Sequence, residues 1–99
     1  MQSRYEAGFS REMGSTEAEW LRLLPAAIGE HVWRQMGSSV TVSLPSGELS
    51  LNWQVLEPRV MGLAKFPRLL VTFRFDQSNE EERFAFMRRF DLYTHRGGG

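Results

Sequence analysis

The chain has 99 residues, 41% of them hydrophobic and 24% charged, which supplies one hydrophobic core, leaves nothing for a second, and lies far from the weakly hydrophobic, highly charged regime of unfolded chains. Its 12 Lys and Arg balance its 12 Asp and Glu, so no net field draws nucleic acid or an anionic membrane surface, and any anion site must be local. Cysteine is absent, which excludes disulfides, thiolate metal sites and a cysteine nucleophile, and fits a reducing, cytoplasmic setting.

Residues 1–14 mix small, polar and scattered aromatic side chains without a sustained period and are expected to form a flexible arm ahead of a single domain over 15–96. No apolar stretch at the amino terminus has the character of a signal peptide, and no run approaches the roughly 20 residues that span a bilayer, so neither export nor membrane contact is expected. Thr16 and Glu19 have the spacing of a capping box, in which the hydroxyl and the carboxylate each satisfy an amide of the first turn. Trp20, Leu21, Leu23, Leu24 and Ile28 then recur at helical spacing, with Pro25 predicting a kink or two short helices and Gly29 or Gly37 an end.

Val40, Val42 and Leu44 alternate with Thr41 and Ser43, and beyond Pro45, Ser46 and Gly47 the alternation resumes as Leu49, Leu51, Trp53 and Val55. A period of two on both sides of a turn sequence predicts a β-hairpin with one core face and one wet face. Pro58, Gly62 and Pro67 punctuate the apolar stretch from Leu56 to Pro67, which reads as an irregular, partly buried connection. Leu69, Val71, Phe73 and Phe75 predict a third strand beside the hairpin. Ser78 and Glu81 then form a second capping-box pattern, opening a helix to about Arg96 whose stripe is Phe86, Met87, Phe90 and Tyr93, with Gly97–Gly99 as a loose tail. The fold class that follows is α+β, a two-layer sandwich of order α-β-β-β-α with both helices on one face of a three-stranded antiparallel sheet.

Chemistry-bearing residues are sparse. His31 and His95 lie in different elements with no second ligand at metal spacing, so neither a metal nor any other cofactor is expected. No glycine loop precedes a helix to cradle phosphate, no set of acid, base and nucleophile can be named, and enzymatic activity is not expected. The order α-β-β-β-α is also that of double-stranded-RNA-binding domains, but Glu80, Glu81 and Glu82 stand where those domains grip phosphates, and the wet strand positions carry no aromatic platform for bases. The terminal Gly98-Gly99 resembles the tails of ubiquitin-like sulfur carriers, although those begin with a β-hairpin and this chain is expected to begin with a helix.

Two features stand above background. Arg59, Arg68, Arg74, Arg83, Arg88, Arg89 and Arg96 all follow Leu56, and arginine is the side chain of bidentate anion contacts, though it also makes ordinary ion pairs such as Glu82 with Arg89 or Asp91 with Arg88. Phe84 and Leu92 point away from the main stripe of the last helix, as residues covered by the first helix or presented to a partner would. The favoured reading is a binding domain that engages another protein or its own copy through the last helix or a sheet edge, with Arg59, Arg68, Arg74, Phe84, Arg88, Arg89 and Leu92 as candidate contacts. The alternative is an anion-binding module for a nucleotide, nucleic acid or acidic metabolite built from the clustered arginines.

Overall fold

The structure, a computed structural model, describes residues 5–95. Its elements run β1 (Gly8–Met13), α1 (Glu17–Ile28), β2 (Trp33–Met36), β3 (Ser39–Ser43), β4 (Glu48–Met61), β5 (Ala64–Asp76) and α2 (Glu80–Thr94). The strands form one antiparallel sheet of five, ordered β1-β5-β4-β3-β2. The α+β class therefore holds, but the three-stranded sheet and the order α-β-β-β-α do not: β1 and β2 extend the expected three strands on either side.

The expected arm over residues 1–14 contains β1, which pairs with β5 from Gly8 opposite Arg74 to Met13 opposite Leu69. Phe9, Arg11 and Met13 face the helices, and it is the charged Arg11 at the middle position that breaks the apolar alternation. Its guanidinium lies over the Phe73 ring, 5.2 Å from the centroid, and its Nη1 donates to Asp91 Oδ1 of α2 at 2.7 Å. Tyr5 O–H donates to the other oxygen of the same carboxylate at 2.8 Å. One Asp91 thus ties the segment before β1, β1 itself and α2 together. Residues 1–4 of the expected arm, Arg96 and the Gly97–Gly99 tail lie outside the described residues.

Helix α1 begins as its capping box dictates: Glu19 N–H donates to Thr16 Oγ1 at 3.1 Å and Thr16 N–H to Glu19 Oε1 at 2.9 Å. It runs as one helix through Pro25, not as two, because the amide that proline lacks would have served only Leu21, and the helix ends three residues later at Ile28. Helix α2 is capped by Asn79, not by the expected Ser78: Asn79 Oδ1 accepts from Glu82 N–H at 2.8 Å. The Ser78 carbonyl instead accepts from Arg83 Nη1, and α2 stops at Thr94 with His95 as its cap.

Both helices cover one sheet face. Trp20 of α1 meets Trp53 edge-on at 5.6 Å between centroids, and Phe90 of α2 meets Trp20 and Phe73 at 5.8 and 5.4 Å. Val40, Val42, Leu49, Leu51, Leu69, Val71 and Phe73 complete the buried layer. On the other face Thr41 pairs with Ser50, Asn52 with Thr72 and Gln54 with Leu70, giving an uncovered and mostly polar surface among the described residues. Both helices on one face and a polar opposite face are as the sequence predicts.

The turns explain two glycines. A Cβ at Gly47, between β3 and β4, would collide with the Asp76 carbonyl oxygen, because the turn closes onto the end of β5. Gly62, with φ of 62°, opens the two-residue turn joining β4 to β5.

Candidate functional site

β4 and β5 outlast their neighbours. β3 accompanies β4 only as far as Asn52, and β1 accompanies β5 only from Arg74 to Leu69. Beyond those points the two strands pair with each other alone and project as a two-stranded ribbon, out to Met61 opposite Ala64. The stretch expected to be an irregular, partly buried connection is instead a paired ribbon, exposed between its part-buried ends Leu56 and Pro67.

The punctuation that suggested irregularity is absorbed by one defect and one turn. Leu56 pairs with Arg68 and Arg59 with Phe66, so Glu57 and Pro58 together oppose the single Pro67, which is a β-bulge. Both prolines sit where the ladder is already broken, and neither missing amide costs a cross-strand bond. Gly62 is spent on the turn.

The ribbon's base is fixed by an ion cluster. The Arg68 fork grips Glu12 of β1 through Nε at 2.9 Å and Nη2 at 2.8 Å, while Nη1 donates to the Glu57 carbonyl at 3.1 Å. Arg59 Nη2 stands 3.8 Å from Glu12 Oε1. The hydrogen bonds from Arg68 hold the Glu12 carboxyl below the usual carboxylate range. Because Arg68 bonds the backbone at the bulge and a side chain of the neighbouring strand, the ribbon leaves the sheet in a defined direction.

Its surface is apolar to an unusual degree. Among the described residues eight large hydrophobics are exposed; four of them, Val60, Met61, Leu63 and Phe66, belong to the ribbon, and a fifth, Val55, stands at its base. Leu63 at the tip is 106% exposed and Met61 beside it 63%. Met61 and Arg59 share the uncovered sheet face with Phe66, Leu56 and Leu70, while Val55, Val60 and Lys65 point the opposite way. Neither the Lys65 ammonium nor the Glu57 carboxylate makes an ion pair with a described residue. Among the described residues no group of three or more His, Asp or Glu could hold a metal, and no helix is long and apolar enough to cross a membrane.

The residues singled out by sequence are dispersed. Arg68 lies on the uncovered face with Arg74, whose side chain is exposed, and Arg59 is on the ribbon. Arg88 and Arg89 are on α2, across the sheet from Arg68, so the arginines of the anion-binding alternative do not converge on one pocket. Arg89 stacks on Tyr93 at 4.5 Å and donates to the Ala26 carbonyl of α1, while Asp91 takes Arg11 and Glu82 accepts from Ser46, so the ion pairs expected along α2 are replaced by tertiary bonds. Phe84 is half-buried against the core with its ring 6.4 Å from Tyr5, whereas Leu92 is exposed. Of the expected contacts, only Arg59 and Arg68 belong to the ribbon. Its apolar residues Val60, Met61, Leu63 and Phe66 were missed as a surface, although they flank a Gly62-Leu63 turn within the stretch that was singled out as apolar.

Compared with known proteins, the chain matches no family model, no curated protein and no solved structure.

Proposed function

We propose that this chain is a small, cytoplasmic protein-binding domain whose contact surface is the β4–β5 ribbon, with the helix-covered head as its support. One observation carries the reading: half of the exposed large apolar side chains among the described residues gather on an arm that projects beyond β1 and β3, from Val60 to Phe66. Surfaces of this kind are covered by partners, since an apolar patch left in water costs roughly 25 cal/mol per Å² relative to burial. The mode of contact is side chain against side chain. Strand addition along the ribbon is opposed by Pro58, Pro67 and the bulge, the devices by which free sheet edges avoid pairing. Phe84 and Arg89 of α2 are already engaged within the fold, which leaves that helix less to offer a partner.

The test is affinity capture from native extract with nuclease present, comparing the wild-type chain with the Met61→Ser/Leu63→Ser variant. The expected outcome is a protein partner held by the wild type and lost by about tenfold or more in the variant. Retention by that variant together with loss in Leu92→Ser would move the contact to α2 and overturn the reading.

A further inference from the structure

We propose that the outer edge of β2 is a second docking site, and that its occupant is an extended peptide strand of another protein that lies antiparallel to β2 and sets a carboxylate opposite Arg34. The site is separate from the ribbon and does not depend on it. β2 ends the sheet order, so no described strand pairs with its outer side. Ser43 N–H donates to the Val32 carbonyl at 2.8 Å, which turns the backbone groups of Val32, and by alternation those of Arg34 and Met36, towards β3. The N–H and C=O groups of Trp33 and Gln35 therefore point outward, where an added strand would bond them. The other edges are guarded: Pro58, Pro67 and the bulge break the ribbon, and β1 carries a charge, Arg11, on its inward side. β2 has no proline, no bulge and no inward charge, since its inward side chains are Trp33 and Gln35, opposite Val42 and Val40.

The side chains of this edge say what fits it. Arg34 and Met36 sit opposite Thr41 and Ser39 on the uncovered face, and Val32 precedes Arg34 by one strand period. Val32 is 76% and Met36 71% exposed, so a large apolar side chain stands in water at each end of β2. Between them is Arg34, exposed and without an ion pair to a described residue. Its row across the sheet runs through Thr41 and Ser50 to Arg74 and holds no carboxylate. An antiparallel strand bonded to Trp33 and Gln35 places its intervening residue opposite Arg34 in a non-hydrogen-bonded pair, where facing Cα atoms come within about 4.5 Å and side chains meet most closely. A carboxylate there matches the guanidinium, and apolar residues two positions to either side cover Val32 and Met36. A second copy does not meet this pattern. The antiparallel register that covers Val32 with Met36 sets Arg34 against Arg34, and the next register towards the turn sets Trp33 against Gly37, whose carbonyl already accepts from Gln35 Nε2 at 3.1 Å.

The experiment follows the amide NMR signals of the full, isotope-labelled chain during titration to about 1 mM with two synthetic peptides, Thr-Val-Thr-Glu-Thr-Val-Thr and its counterpart with lysine at the centre, a range that registers even millimolar affinity. With the glutamate peptide the amides of Trp33 and Gln35 are expected to shift and to gain protection from hydrogen exchange, and the lysine peptide should bind more weakly by about fivefold or more. Arg34→Glu should reverse that preference. Gln35→Pro, which removes an outward N–H and no ladder bond, should abolish docking of both peptides while the β3 amide signals keep their positions. Met61→Ser/Leu63→Ser should leave the titration unchanged, which separates this site from the ribbon. Trp33 and Gln35 amides that respond to neither peptide, or a preference that survives Arg34→Glu, overturn the proposal. Protection of the same amides that rises with the concentration of the chain alone assigns the edge to a second copy and overturns it as well.

Discussion

The same two strands live two lives. Over their head halves, β4 and β5 bury Leu49, Leu51, Val71 and Phe73 completely beneath the helices. Over their ribbon halves, with side chains of the same kind, they expose Val60, Met61 and Phe66 to water. Strand pairing and apolar content continue from one half to the other, across the register shift at the bulge. What changes is the neighbours: β1 and β3 stop, and the bulge at Glu57 and Pro58 shifts the ladder. Burial is a property of what surrounds a strand, and alternation in one strand says only that one face is available to be covered.

The sharpest way to break this comparison is to truncate one apolar side chain in each half. Phe90→Ala removes a ring that touches Trp20, Phe73 and Phe86 in the head and is expected to cost about 3–5 kcal/mol by chemical denaturation. Met61→Ala should change stability by less than about 0.5 kcal/mol. A core-sized loss at Met61 would mean that the ribbon packs within its own chain. Next in size is Gly47→Ala, where the new methyl meets the Asp76 carbonyl and forces the turn away from β5, for an expected loss of about 1–3 kcal/mol. The same change at the exposed Gly14, where an added Cβ meets nothing within 4 Å, serves as the control.

The smallest effect is a pH dependence confined to the head. Burial and the bond to Asp91 hold the Tyr5 hydroxyl above its ordinary value of 10.0, so the folded state keeps this proton longer than the unfolded state does. The associated stability is fully present below pH 10.0 and is lost as pH rises through the folded value. Thermal melts of Tyr5→Phe against wild type should therefore converge as pH is raised through and beyond that point, with the wild type losing the larger share. Equal alkaline slopes in the two proteins would show that the clasp at Asp91 does not discriminate the ionised phenol.

Much of the head was legible in the sequence because local signals and tertiary environment agreed there. The β3–β4 hairpin, β5, the Thr16 capping box and the stripe through Phe86, Met87 and Phe90 all follow from periodicity and capping alone. β1 was hidden because its central inward residue is a cation whose partner, Asp91, is 80 positions away. The ribbon was hidden for the converse reason: Pro58 and Pro67 are local breakers whose effects cancel only when they face each other across a bulge, a relation that exists in the paired sheet and not along the chain. Asn79 took the cap expected of Ser78, a shift of one residue that spacing rules do not resolve.

Helix α1 carries a consequence for how the molecule comes into being. It has no basic residue in its last turn, and the carbonyl of Ala26 receives its hydrogen bond from Arg89, contributed by α2. β1, for its part, is zipped along β5 and clasped to Asp91. Both elements at the start of the chain are thus completed by its last third, and loop closure over such separations is slow. On the ribosome, β1 and α1 would emerge without the groups that finish them, and the fold would close as a whole once β5 and α2 have left the exit tunnel.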